Sequence, residues 1–293
     1  MAQLNARDVA LCVARLNPTL RNEMQGALCG VTVVAGGFVR SVVSGETVND
    51  IDVFVTSDVE VGVINDRMKK AGFNADISPN AQTFTQHGKT PVQVITRWMF
   101  GNSDKIKELR KRGGPNKAIA ATMMLQEVVD SFDFTVCQAG LVYIPTPIQI
   151  SSPDNELFQM FGGTGSWLGI CSDTFYEDLC AKRLVYTKPE RLEDAGGSML
   201  RLLKYTARGY RATLDSVAAV AARWVMGTDS TTSHDGKMKM DKITIGVPDD
   251  KTRPFSTITD LKELNEEGLA EILSGRLVEI DPPIDVSVLP YVP

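Results

Sequence analysis

Two aspartates one residue apart, Asp50 and Asp52, stand in the run Asn49-Asp50-Ile51-Asp52-Val53-Phe54-Val55. The β-branched and aromatic residues around them predict a strand over 50–56. Side chains alternate faces along a strand, so the two carboxylates point the same way while Ile51 and Val53 turn into the core. Paired carboxylates at this spacing can hold hard divalent cations such as Mg²⁺ or Mn²⁺, which take oxygen ligands and keep positions open for phosphate. Upstream, Val33-Val34-Ala35-Gly36-Gly37-Phe38-Val39-Arg40 runs a β-branched segment into a Gly-Gly turn. With no Cβ at Gly36 or Gly37, backbone N–H groups can approach a phosphate that a side chain would hold away. A lone Gly-Gly is usually a tight turn, and a lone Asp-x-Asp is usually a solvated strand edge. Together they describe a site for a metal–nucleotide complex and phosphoryl transfer.

The order Gly36-Gly37-Phe38-Val39-Arg40, Gly45, Asp50-Ile51-Asp52 resembles the first signature of the polymerase β nucleotidyltransferase superfamily. Its nearest branch in pattern is that of bacterial poly(A) polymerases and class II CCA-adding tRNA nucleotidyltransferases. That branch reads Gly-Gly-x-Val-Arg-Asp, a Gly a few residues on, then Asp-x-Asp; Ser41 stands here where the branch has Asp. The resemblance implies an α/β (α+β) head with a mixed sheet, followed by a smaller, mostly helical domain. It implies that Asp50 and Asp52 are catalytic ligands of Mg²⁺ (or Mn²⁺). It also implies that Gly36, Gly37 and Arg40 hold the β- and γ-phosphates of an NTP.

Three further segments bear on the same chemistry. A third acid sits on a neighbouring strand in the branch, in a pattern like Glu-Val-x-Thr-x-Arg; the similar segment Gln93-Val94-Ile95-Thr96-Arg97 begins with Gln. An amide supplies one oxygen and no charge, so Gln93 makes a weaker metal ligand than a carboxylate, or else is a plain polar residue on a half-buried strand. Phe132-Asp133-Phe134-Thr135-Val136-Cys137-Gln138-Ala139 resembles the second signature, Arg-Arg-Asp-Phe-Thr-x-Asn-Ala, with Ser131 and Phe132 in place of the two arginines. Asp133 is expected to supply the third carboxylate or to hold the site loop, the alternative being a simple turn residue. Arg201, Lys204 and Arg208 fall three and four apart, on one helix face. They resemble the branch's Asp-Pro-x-Arg-x-x-Arg helix, which places Arg201 and Lys204 against the triphosphate or an RNA backbone; a solvated basic face is the alternative.

The dense basic cluster around Lys105, Lys107, Arg110, Lys111, Arg112 and Lys117 is the leading candidate for polyanion contact, with Lys107, Arg110 and Lys111 expected on RNA. No aromatics are interleaved, so base stacking is not expected there. The balance of 31 basic against 36 acidic residues, net charge −5, confines any nucleic-acid contact to such a local patch. The five cysteines form no CxxC pair and histidines are limited to His87 and His234, which argues against a zinc site or a His-based triad. The odd, scattered set of cysteines reads as buried thiols of a reducing compartment. No run of eighteen apolar residues occurs and polar residues crowd the first ten positions, so no membrane span or signal peptide is expected and the chain reads as cytoplasmic.

A total of 293 residues, 43% apolar and 23% charged, suits a soluble globular chain of one large or two ordinary domains. Helices are expected over 6–28, broken at Asn17-Pro18, and over 38–44, 58–70 (Asp58 as N-cap), 103–112 and 117–131. Strands are expected over 31–35, 92–96 and Phe132–Tyr143. Strands and helices alternate to about residue 146, the pattern of a mixed α/β domain. Pro145, Pro147 and Ser151-Ser152-Pro153 mark a break. Beyond it, Asp173–Val185, Gly197–Arg208 and Leu214–Met226 carry helical periodicity. A Ser/Thr/Gly-rich loop over 227–236, a strand at Ile243–Val247 and a helix at Thr259–Leu273 complete the reading. The expected division is a catalytic domain 1–146, a helical domain 147–228 and a C-terminal extension 229–293 of unassigned role.

The preferred reading is a nucleotidyltransferase moving an NMP from an NTP to an acceptor hydroxyl. The acceptor is an RNA (tRNA) 3′ end, with a protein or small molecule as alternatives. The rival is a non-catalytic nucleotide- or RNA-binding module with a degenerate form of the fold, favoured by Gln93 and the missing arginine pair.

Overall fold

The structure, a computed structural model, describes residues 1–145, 148–150, 158–160, 165–189, 195–227, 267–271 and 274. In chain order the elements are β1 (Ala2–Gln3), α1 (Ala6–Arg15), α2 (Pro18–Gln25), β2 (Thr32–Ala35), α3 (Gly37–Ser44), β3 (Ile51–Val55), α4 (Asp58–Lys70), β4 (Asn74–Ile77), β5 (Ala81–Thr85), β6 (Val92–Ile95), α5 (Asp104–Arg112) and α6 (Pro115–Asp130). A 3₁₀ turn at Thr135–Cys137 precedes β7 (Ala139–Pro145), β8 (Ile148–Ile150), β9 (Phe158–Met160) and β10 (Gly165–Cys171). Then come α7 (Phe175–Cys180), β11 (Arg183–Leu184), α8 (Ala195–Thr206), β12 (Arg211–Ala212) and α9 (Leu214–Gly227).

The expected break between α1 and α2 has a local cause. Asn17 Oδ1 accepts from the N–H groups of Thr19 and Leu20, and Pro18 fills the first helical position, where no N–H is needed. At α4 the cap is Ser57, not Asp58: its hydroxyl oxygen accepts from Val59 N–H, and Asp58 is the first residue of the helix.

Eight strands form one mixed sheet in the order β1-β10-β7-β2-β3-β6-β5-β4, antiparallel throughout except for the parallel pair β3·β6. Val33, Phe54 and Val142 lie in register on one face and form the core with Ala121, Leu125 and Val128 of α6. Val34, Val53 and Leu141 alternate to the opposite face and are also fully buried. Gly140 lets the layers meet, since a Cβ there would stand 2.9 Å from Ala35 Cβ and 3.0 Å from Leu125 Cδ1.

The chain divides into two compact units, Met1–Phe132 with Val136–Phe175, and Asp133–Thr135 with the described residues from Tyr176 onward. The expected continuous strand Phe132–Tyr143 is therefore broken. Thr135 N–H donates to Val185 O and Thr187 N–H to Asp133 O, which draws the segment into the second unit before the chain turns into β7. Likewise the helix expected over Asp173–Val185 stops at Cys180; Lys182 adopts φ 47° and the chain enters β11, paired in parallel with β12. Helices α8 and α9 are the longest elements of the described second unit. The Ile243–Val247 strand lies outside the described residues, and of Thr259–Leu273 only 267–271 are described, as helix.

Candidate active site

Strand β2 ends at Ala35 and the chain turns through Gly36 into α3. Gly36 has φ 81° and ψ −135°, a conformation that favours glycine, and its N–H donates to Ala139 O. A Cβ on Gly36 would also stand 2.6 Å from Phe132 Cε1. Gly37 opens α3 half-exposed, and a Cβ there would meet nothing within 4 Å. Gly37 thus leaves open space at its Cβ position at the N-terminus of an eight-residue helix, the end whose unpaired amides favour an anion.

The ladder between β2 and β3 pairs Val34 with Val53, so one step further sets Ala35 beside Asp52 and the Gly36-Gly37 turn beside the start of β3. Asp52 shares a face with Phe54, one row beyond the edge of the α6 core; Asp50 immediately precedes the strand, and both side chains are partly exposed. In the parallel ladder β3·β6, Asp52 pairs with Gln93 directly, so the amide stands beside the carboxylate on the same face. Gln93 Nε2 donates to Thr83 Oγ1 at 3.3 Å on β5, its register partner there. The polar row Asp52, Gln93, Thr83 and Asp76 runs from β3 to the edge strand β4.

These donors fit a hard divalent cation: two adjacent carboxylates and an amide oxygen, partly exposed, beside a turn able to take phosphate. Among the described residues no three Asp, Glu, His or Cys side chains gather to hold a metal ion.

Arg40, expected on phosphate, is 2% exposed; its Nη2 donates to Ser41 Oγ at 2.9 Å and lies 3.5 Å from Glu46 Oε2. Ser41 Oγ thus receives the arginine, and Glu46 supplies the carboxylate. In the second unit Asp133 is 2% exposed and accepts from Arg201 Nε at 2.6 Å, so two residues expected in separate roles form one ion pair. Lys204 is exposed on α8, and Arg208 lies over the Tyr205 ring at 6.0 Å.

The basic cluster separates by depth. Lys105, Lys107 and Lys111 are exposed and Arg112 pairs with Glu108 at 3.3 Å. Arg110 turns inward instead, donating to Gly101 O at 2.9 Å and to Met124 Sδ at 3.6 Å, and burial lowers its pKa against the raising effects of Glu60 and Glu127.

Two residues near the site escaped the sequence reading. Thr83 sits on β5, a short polar strand with no clear alternation. Phe132 was visible only as a departure from arginine; in the fold its ring packs edge-on to Phe54 at 5.7 Å and against Gly36.

The profile of the Gabija anti-defense 2 family protein matches residues 13–108, about a third of the chain, which includes β2, α3, β3 and β6. No curated protein matches. Among solved structures, a Thermotoga maritima CCA-adding enzyme complexed with tRNA aligns at TM-score 0.44 and 14% identity, covering 92% of this chain and 53% of that one. A CCA-adding enzyme in complex with CTP aligns at TM-score 0.44 and 15% identity, covering 76% and 47%. A tRNA nucleotidyltransferase complexed with a primer tRNA and an incoming ATP analog aligns at TM-score 0.37 and 14% identity, covering 68% and 52%. The chain spans about half the length of these enzymes, and likeness at this level carries no activity over to it.

Proposed function

We propose that the protein is a metal-dependent nucleotidyltransferase that moves an NMP from an NTP to an acceptor hydroxyl and releases pyrophosphate. The observation that carries this reading is the register that seats Asp52 beside Gln93, next to the Gly36-Gly37 turn. A bound Mg²⁺ or Mn²⁺ would supply charge neutralisation on the triphosphate and a lowered pKa for the attacking hydroxyl. Asp50, Asp52 and the Gln93 oxygen are the groups that would hold it. The Gly37 amide and the following first-turn amides of α3 orient the phosphates, and the missing Cβ of Gly37 keeps the approach clear. The acceptor hydroxyl gives up its proton to solvent and its oxygen bonds to the α-phosphorus, as the bond from that phosphorus to the leaving pyrophosphate breaks.

The acceptor we favour is an RNA 3′ end, tRNA first, with Lys107 and Lys111 as backbone contacts and Lys204 as a further cation. A cytoplasmic setting belongs to the same proposal, as does a catalytic unit whose site residues lie within 1–146 and whose sheet extends through β10. A second reading has its own support in the profile match: the chain acts against Gabija defence, as the matched family's description says of its members. In that case the acceptor is a protein or small molecule, or the site binds without catalysis, for which Gln93 and Phe132 in place of charged residues speak.

Incubation with Mg²⁺ or Mn²⁺, each α-labelled NTP in turn, and total cellular RNA and protein tests these readings. Label on RNA is expected from the wild type. Asp50→Asn and Asp52→Asn should each lower transfer by about three orders of magnitude or more, since each removes a charged metal ligand. If both variants keep near-normal transfer, the site is misassigned; no label on any acceptor favours the binding module.

A further inference from the structure

A glutamine beside a metal site has two unlike ends. Its Oε1 can ligate a cation, whereas its Nε2 carries two N–H groups and repels one. Rotation by half a turn about the terminal bond exchanges them, so a Gln in a ligand position needs a partner that fixes its sense. In this fold the partner is Thr83. Its Oγ1 accepts from Gln93 Nε2 at 3.3 Å, from the strand on the far side of β6 from Asp52. The register is direct on both sides, Thr83↔Gln93 and Asp52↔Gln93, so all three side chains share one face. With the amide nitrogen committed toward β5, the carbonyl oxygen is the end left toward β3. Thr83 itself is partly exposed, on a five-residue strand that no core contact requires to carry a hydroxyl there.

We infer that Thr83 is a positioning residue for the metal site: through its hydrogen bond to Gln93 it presents the amide oxygen beside Asp52. This rests on the nucleotidyltransferase reading above. An uncharged ligand held in the correct sense by a neighbouring hydroxyl takes the place of a carboxylate, which needs no such orientation because both its oxygens are acceptors.

The test is Mn²⁺ binding to the full chain by titration calorimetry without nucleotide, a readout separate from activity. Thr83→Val keeps the shape and removes the acceptor, and should weaken Mn²⁺ binding about tenfold, the usual size for loss of an outer partner of a metal ligand. Gln93→Leu should lose at least as much, and the double variant no more than Gln93→Leu alone, because both act on one contact. Thr83→Ser keeps the acceptor and should bind like the wild type. Urea unfolding confirms that each variant is folded, and Thr83→Ala replaces Thr83→Val if the latter is not. Unchanged binding in Thr83→Val, with Gln93→Leu weakened, overturns this inference and leaves the nucleotidyltransferase reading standing. No Mn²⁺ binding by the wild type, or binding insensitive to Asp52→Asn, overturns both.

Discussion

The two adjacent glycines carry different burdens, and substitution separates them. Gly36 combines φ 81° with a Phe132 ring 2.6 Å from any added Cβ, so Gly36→Ala meets backbone strain and a clash together. A loss of about 2 kcal/mol or more in urea unfolding is expected. Gly37 has open space around its Cβ position, so Gly37→Ala should leave stability within about 0.5 kcal/mol. If a phosphate rests on the α3 amides, the new methyl stands in its path, and NTP affinity measured by calorimetry should fall while the fold is untouched. Equal NTP affinity in Gly37→Ala and wild type removes the phosphate role from the turn. The glycine pair stood out in the sequence because Asp-x-Asp follows it; a Gly-Gly alone is usually a tight turn. The sequence did not show Phe132 against Gly36, since that contact joins residues almost a hundred positions apart. Nor did it show that Arg40 and Arg201 are held by Glu46 and Asp133, because a charge in a motif does not announce its partner.

Among the elements, α5 shows how a run of cations divides once a helix is seated. Arg110→Ala takes away the donor that satisfies Gly101 O, and a loss of about 1–3 kcal/mol in stability is expected, with little specific effect on RNA. Lys107→Glu and Lys111→Glu alter only exposed positions and should leave stability unchanged. If RNA is the acceptor, each should weaken its binding and lower the slope of log affinity against log salt by about one. An unchanged slope makes the face a solvated surface. The strongly periodic or capped elements were legible: α1 and α2 around Asn17-Pro18, β2, β3 and the body of α4. Strands β4 and β5 were not, because β4 is only four residues long and mostly exposed, and in β5 two residues separate the buried Ala81 and Phe84, which breaks the period of two. Phe132–Tyr143 has strand composition throughout. Its first part is nonetheless claimed by Val185 and Thr187, and Thr135 Oγ1 donates to the buried Asp178 at 2.6 Å, long-range bonds that local propensity does not contain.

Over the whole molecule, thiol chemistry reports how tightly the units close. Burial, with Asp8 adding to it, pushes Cys12 up to about 12; burial lifts Cys29 to about 11 against the nearby Lys117, and Cys171 to about 11 with Asp173 and Asp8. Cys137 is 2% exposed and Cys180 is exposed. At pH 8 a disulfide reagent such as DTNB should therefore titrate Cys180 quickly and the other four slowly, and all five together in urea. Because the fold holds the three raised thiols protonated, it keeps their contribution below pH 9, their ordinary value, and loses it as pH climbs toward 12. The division of the chain gives a sharper test. A fragment 1–146 would end where the Pro-rich break begins, yet β7 pairs with β10 over seven residues, from Ala139↔Cys171 to Pro145↔Gly165. Cutting there turns β7 into an open edge of buried Leu141 and Val142. Phe134, fully buried, loses the rings of Tyr186 and Tyr205 at 5.7 and 6.2 Å in a cut at 146 and equally in a cut at 175, so the two fragments differ in β10. Fragment 1–146 should aggregate or unfold without cooperativity, whereas fragment 1–175, which keeps β10, should show a cooperative urea transition. If 1–146 unfolds cooperatively with the same midpoint as 1–175, the sheet does not need β10, and the first domain closes before the break.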